Sequence, residues 1–126
     1  MLWRLWCIWS SWALLPMAVL LLWHQSLLGL VYVAAAAAAC AYHWHRERRF
    51  QRLDHAMAWT AIGVNCWLAA GTSDLRATLS GVVGILLALL AYSAAHIEPE
   101  HYDRHHTQWH LWCGFAGWML AQGYVA

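Results

Sequence analysis

The sequence predicts an all-α fold, a polytopic membrane helix bundle of about five transmembrane helices forming one integral membrane domain over residues 1–126. Three observations predict it. Of the 126 residues, 63% are hydrophobic and only 10% are charged, more apolar surface than a soluble domain of this size can hide. Eleven tryptophans are present, and Trp collects at membrane–water interfaces. Apolar stretches long enough to span a bilayer recur along the chain, separated by short polar turns. The net charge of +1, with no basic run interleaved with aromatics, excludes a nucleic-acid partner.

Residues 1–24 place Trp3, Trp6, Trp9 and Trp12 about one helical turn apart, then run from Ala13 to Trp23 through Pro16. This pattern predicts an interfacial anchor leading into a first span. A signal peptide is the competing reading, but no small-residue cleavage site follows the apolar stretch. His24, Gln25 and Ser26 make a short turn. The second span covers residues 27–45, and its alanine run, Ala34 to Ala39, offers a small face that lets another helix approach closely. It ends in Tyr42-His43-Trp44-His45, followed by Arg46, Arg48, Arg49 and Arg52, four arginines within seven residues. A third span is expected from Asp54 to about Ala70, with Asp54 suited to cap its start. After the turn Gly71-Thr72-Ser73-Asp74, a fourth covers Ala77 to about Ile97. A polar link broken by Pro99 leads to a fifth, from His105 or His106 to about Tyr124.

Cys7, Cys40, Cys66 and Cys113 fall singly in four apolar segments, which predicts reduced thiols rather than a disulfide framework. Ala37-Ala38-Ala39-Cys40 loosely resembles a lipoprotein cleavage site, but it comes after a full apolar span.

Five spans with the N-terminus cytoplasmic put Arg4, Arg46, Arg48, Arg49, Arg52 and Arg104 inside and only Arg76 outside, a clear positive-inside bias. Lysine is absent, so arginine carries the whole signal. The same topology brings eight of the nine histidines to the cytoplasmic side, all but His24. His43, Asp54, His106 and His110 then lie at neighbouring helix ends, and ionisable groups at the edge of apolar spans are functional candidates. His106 and His110 are four residues apart and share one helix face, so they can bind one metal ion. His43 is the natural third ligand, leaving a fourth position for water, with Asp54 beside it as base. Two snorkelling interfacial histidines are the plainer reading of His106 and His110 alone.

Tyr42-His43, Leu53-Asp54 and His106-x-x-Trp109-His110 together resemble the CREST superfamily of membrane hydrolases, which includes the alkaline ceramidases and the adiponectin-receptor and hemolysin III proteins. The resemblance implies that His43, His106 and His110 bind zinc and that Asp54 holds the zinc-bound water. It implies a shortened member, since five spans fit here where the family has seven. The family's serine, four residues before the first His, would fall at Ala39. Ser93 is a candidate substitute.

The expected function is therefore a zinc-dependent intramembrane hydrolase acting on a lipid amide or ester in the cytoplasmic leaflet. A non-catalytic zinc-containing receptor or scaffold is the alternative, motivated by Ala39. A third reading is a di-iron lipid hydroxylase or desaturase, because His101-x-x-x-His105-His106 also resembles a histidine box. Bis-histidine haem binding is a fourth. Asn65 and Ser93 are expected to hydrogen-bond between helices, Tyr102 and Trp109 to be interface aromatics, and the arginine cluster to contact lipid headgroups. The partners expected are the bilayer, a lipid substrate and a second copy of the chain. Ala34–Ala39 and the glycines of the last span are the candidate dimer contacts.

Overall fold

Long, nearly continuous apolar stretches run through most of the chain, and the computed structural model, which describes residues 2–126, is helical almost throughout. Its helices are α1 (Leu2–Ser11), α2 (Leu15–Trp23), α3 (Gly29–His45), α4 (Arg48–Gly71), α5 (Leu75–Ile97) and α6 (Tyr102–Val125). Pro16 lacks the N–H that would bond the Trp12 carbonyl, and the chain tightens there into a 3₁₀ turn, Trp12–Leu14. α1 and α2 nevertheless continue as one rod of 22 residues, so the bundle has five rods.

Each rod buries one stripe. Cys7, Ser10, Ser11, Leu14, Met17, Ala18 and Leu21 face inward along the first rod, while Trp3, Trp6, Trp9 and Trp12 stay exposed on the other side. On α5 the inward stripe is all small residues, Ala77, Gly81, Gly84, Ala88, Ala91 and Ala95. This lets α6 lie close along it: a Cβ on Gly84 would stand 2.9 Å from that of Ala116. α6 is the hub, packed against α1, α2, α4 and α5. α3 packs against α1, α2 and α4, but no Cα of α3 comes within 8 Å of one in α6. The gap between those two backbones is where the imidazoles sit.

Helix ends set the approach of the chain to that gap. Arg46 closes α3 in the left-handed conformation, φ 58°, with its N–H bonded to the Tyr42 carbonyl. Arg4 donates to the carbonyls of His43 and Trp44, and Arg46 pairs with Asp103 at 2.7 Å. The start of α1, the end of α3 and the start of α6 therefore share one end of the bundle with Arg4 and Arg46.

Two expectations need correction. The third rod begins at Arg48, six residues ahead of Asp54, because 48–53 contains only residues compatible with a helix. Asp54 is thus an interior residue and does not cap; Asp74 does, accepting from the N–H groups of Arg76 (2.9 Å) and Ala77 (3.3 Å) at the start of α5. Likewise α6 starts at Tyr102, ahead of the histidines. Two rods, Leu2–Trp23 and Leu75–Ile97, are long and apolar enough to cross a membrane. α3 is short at 17 residues, α4 carries Arg48, Arg49, Arg52, Asp54 and Asn65, and α6 opens with Asp103, Arg104 and three histidines, which lowers their hydropathy. Of the positions expected to contact a second copy, Ala35, Ala36, Ala38 and Ala39 are buried within the chain while Ala34 and Ala37 are exposed, and Gly114 and Gly117 lie against Ala13 and Met17.

Candidate metal centre

Imidazoles four residues apart on a helix project from consecutive turns of one face, and α6 turns that face toward α3. His106 and His110 have ring centroids 4.6 Å apart, edge to face. His43, in the last turn of α3, closes a triangle with them, 4.8 Å from His106 and 5.5 Å from His110. One ligand nitrogen from each lies within 4.8 Å of the others. All three residues are buried, His43 completely at 0% exposure.

Burial makes the bonding pattern informative, because a buried polar atom without a partner is costly. Both nitrogens of His43, Nε2 of His106 and Oδ2 of Asp54 are buried and have no hydrogen-bond partner. Asp54 is 3% exposed and its Oδ2 stands 3.5 Å from His106 Nε2. Orphaned ligand-type atoms in one small volume fit a cation: imidazole nitrogens and a carboxylate are metal donors, and one ion with its bound water would satisfy a single nitrogen of His43 together with His106 Nε2 and Asp54 Oδ2. His43, His106 and His110 can hold a metal ion, with Asp54 adjacent.

Aromatic packing orients the rings. Tyr102 stacks on His106, centroids 5.0 Å apart and planes 25° from parallel, and Tyr42 packs on His43 at 5.0 Å. A cavity of about 10 Å³, room for about one water molecule, lies beside the cluster and is lined by Asp54, His110, Ala39 and Trp109 among others. At the arginine end a larger hollow of about 530 Å³ is lined by Trp3, Arg46, Glu100 and Asp103, with Tyr102 between it and His106.

The sequence reading did not include α1, yet its inward stripe supplies three polar neighbours. Ser10 Oγ lies 3.0 Å from His110 Nδ1 and Ser11 Oγ 3.4 Å from the same atom. Cys7 forms a second convergent group with His43 and Asp103. Cys7 and Asp103 are already engaged: the thiol donates to the Asp103 carbonyl at 3.0 Å and lies 3.2 Å from the Thr107 hydroxyl, and the Asp103 carboxylate holds Arg46. The signal for all three was the spacing 7, 10, 11, 14 opposite the tryptophans.

The remaining histidines add no donor to this cluster. His105 pairs with Glu98 at 2.9 Å, and its ring holds that exposed carboxyl below the usual carboxylate range. His96 bonds the Tyr92 carbonyl, and His45 stacks on Phe50. Among the described residues, no second set of histidines converges to complete a histidine-box pair. Ser93 is exposed on α5 and takes no part. Asn65 is buried and accepts a hydrogen bond from the Tyr32 hydroxyl, the interhelical role expected of it. Trp109 departs from expectation: it is 3% exposed and packs on Tyr92 in the core, not at an interface. The chain matches no protein-family model, no curated protein and no solved structure.

Proposed function

We propose that this chain is a multi-pass membrane protein built around a zinc site, and that it hydrolyses a lipid amide or ester. The observation that carries the reading is the convergence of three buried imidazoles, His43 and His106 with unpartnered nitrogens, beside the buried carboxylate of Asp54. Three neutral imidazoles suit zinc, and a set of three protein ligands leaves the fourth position that a catalytic site requires. Support for a bilayer comes from the exterior, where large apolar side chains such as Trp9, Val19, Leu86, Leu111 and Phe115 are exposed while the polar atoms cluster inside.

A zinc ion held there would supply Lewis acidity, lowering the pKa of a water toward neutral and polarising a scissile carbonyl. His43, His106 and His110 donate the ligand nitrogens. Asp54, next to His106 and the one-water cavity, would orient a water there and take its proton. Trp109, Ala39 and the inward alanines keep the surroundings dry. The apolar furrow between Trp12, Leu15, Val33 and Ala37 is open to an acyl chain, and the hollow under Trp3 and Arg46 to a polar headgroup.

Metal analysis of the purified protein tests the site. One zinc per chain is expected, lost in His43→Ala and His106→Ala; a metal-free wild type overturns the proposal. Turnover is tested on a panel of ceramides, N-acyl amides and lipid esters. Asp54→Asn is expected to keep its metal and lose activity by about 10²–10⁴-fold. The second reading, a zinc-stabilised receptor or scaffold, is favoured by the tightness of the cavity, about 10 Å³. Bound zinc with no turnover of any lipid selects it.

A further inference from the structure

A metal-binding histidine must present a bare lone pair at one nitrogen, and the hydrogen bond made by the other nitrogen decides which tautomer does so. The chemistry around His110 Nδ1 is specific on this point. Ser10 Oγ is 3.0 Å from it and also 3.1 Å from the Cys7 carbonyl oxygen, in the geometry of a donated hydrogen bond. Ser11 Oγ donates to the same carbonyl at 2.8 Å. A carbonyl only accepts, and a hydroxyl has a single proton. With that proton on the Cys7 carbonyl, Ser10 Oγ faces His110 Nδ1 with a lone pair, so Nδ1 carries the hydrogen. Nε2 is then left bare.

We propose that Ser10 is a positioning residue for the metal centre: it accepts the Nδ1–H of His110, fixes the ring's tautomer and rotation, and keeps Nε2 available to the metal ion. This rests on the zinc reading above. Burial strengthens the argument. Ser10 is 6% exposed and His110 3%, so no bulk water competes for Nδ1. The helix geometry strengthens it further, since the Cys7 carbonyl lies one turn before Ser10 on α1 and locks the hydroxyl rotor. Ser11, at 3.4 Å, is too long to do the same work alone. The first rod is thereby part of the centre, and not only its anchor in the lipid.

The test uses the full chain in detergent, with zinc affinity read by competition against a chromophoric chelator and the His110 ring read by ¹⁵N NMR. Ser10→Ala is expected to weaken zinc binding about 10–100-fold, the usual cost of losing an outer partner of a metal-bound histidine. Ser10→Thr, which restores the acceptor, is expected to recover most of it, and Ser11→Ala to stay near wild type. In the metal-free wild type the NMR spectrum should show the Nδ1–H tautomer at His110, and in Ser10→Ala a mixture. Unchanged affinity in a folded Ser10→Ala protein overturns the proposal, as does a wild-type spectrum with the proton on Nε2. The spectrum decides even where Ser10→Ala does not fold. A wild type that binds no zinc yet shows the Nδ1–H tautomer sinks the zinc reading while leaving the Ser10–His110 bond standing.

Discussion

Replacing His43 by leucine should reverse its effect on stability according to whether metal is present. In the metal-free protein, His43 is fully buried with both nitrogens unpaired, and His106 Nε2 and Asp54 Oδ2 are unpaired beside it. An unsatisfied buried polar group costs about 1–3 kcal/mol. Satisfying one atom each on His43, His106 and Asp54 is therefore worth roughly 3–9 kcal/mol, on the order of a whole domain's net stability. At about 4 °C per kcal/mol for a chain of this size, chelation should lower the wild-type unfolding midpoint by more than about 10 °C. Leucine has similar bulk, carries no polar atom, and leaves Asp54 and His106 free to close on each other. His43→Leu should therefore be insensitive to chelator and unfold at or above the midpoint of the chelated wild type, but well below the zinc-loaded one. The assay is thermal unfolding in detergent followed by circular dichroism, with and without one equivalent of zinc. The reasoning fails if stripping the metal shifts the wild type by less than about 2 °C. It also fails if His43→Leu unfolds far below the chelated wild type, since the orphaned nitrogens would then have cost nothing.

Other outcomes follow from single contacts. Tyr32→Phe removes the donor to Asn65 Oδ1, whose Nδ2 is already without a partner, and should destabilise by about 1–3 kcal/mol in denaturant unfolding. Adding Asn65→Leu should recover much of that loss, because the unpaired amide is then gone. Gly84→Val places a Cβ 3.1 Å from the Cα of Ala116, a backbone atom that cannot rotate away. It should cost about 1–3 kcal/mol and reduce the folded yield. Gly63→Ala, with nothing within 4 Å of the added carbon, should instead stabilise by about 0.5–1 kcal/mol, and the pair is read in one unfolding experiment.

The helix count and the meeting of His43, Asp54, His106 and His110 were legible because both follow from coarse features. Apolar stretches set the rods, and rods that alternate in direction bring the ends of the second and fourth to the same side as the starts of the third and fifth. Helix boundaries were less legible. The hydropathy pattern marks where apolar character begins, at Asp54, whereas the backbone becomes helical wherever nothing prevents it, at Arg48. Trp109 was misplaced for a related reason. Composition says that tryptophan favours an interface, but position 109 lies between His106 and His110 on the inward face of α6, and burial follows the face. Lateral packing was the least legible of all. The absence of close approach between α3 and α6 depends on which neighbours each rod selects, and that is decided by small-residue stripes such as that of α5.

The hydroxyl groups near the imidazoles show how such a gap is filled. Position 39, one turn before His43 on α3, is an alanine, and its side chain leaves room in the one-water cavity shared with Asp54 and His110. A serine there would project into the space between α3 and α6 from the α3 side. In this chain hydroxyls come from α1 instead, through Ser10 and Ser11, and they reach His110 rather than the cavity. That exchange depends on α1 being held at a fixed height against α3, and Arg4 provides the hold by donating to the carbonyls of His43 and Trp44. Arg4 thereby ties the end of the helix that carries His43 to the helix that carries Ser10. Through those two carbonyls one charged side chain sets the register between the two halves of the centre.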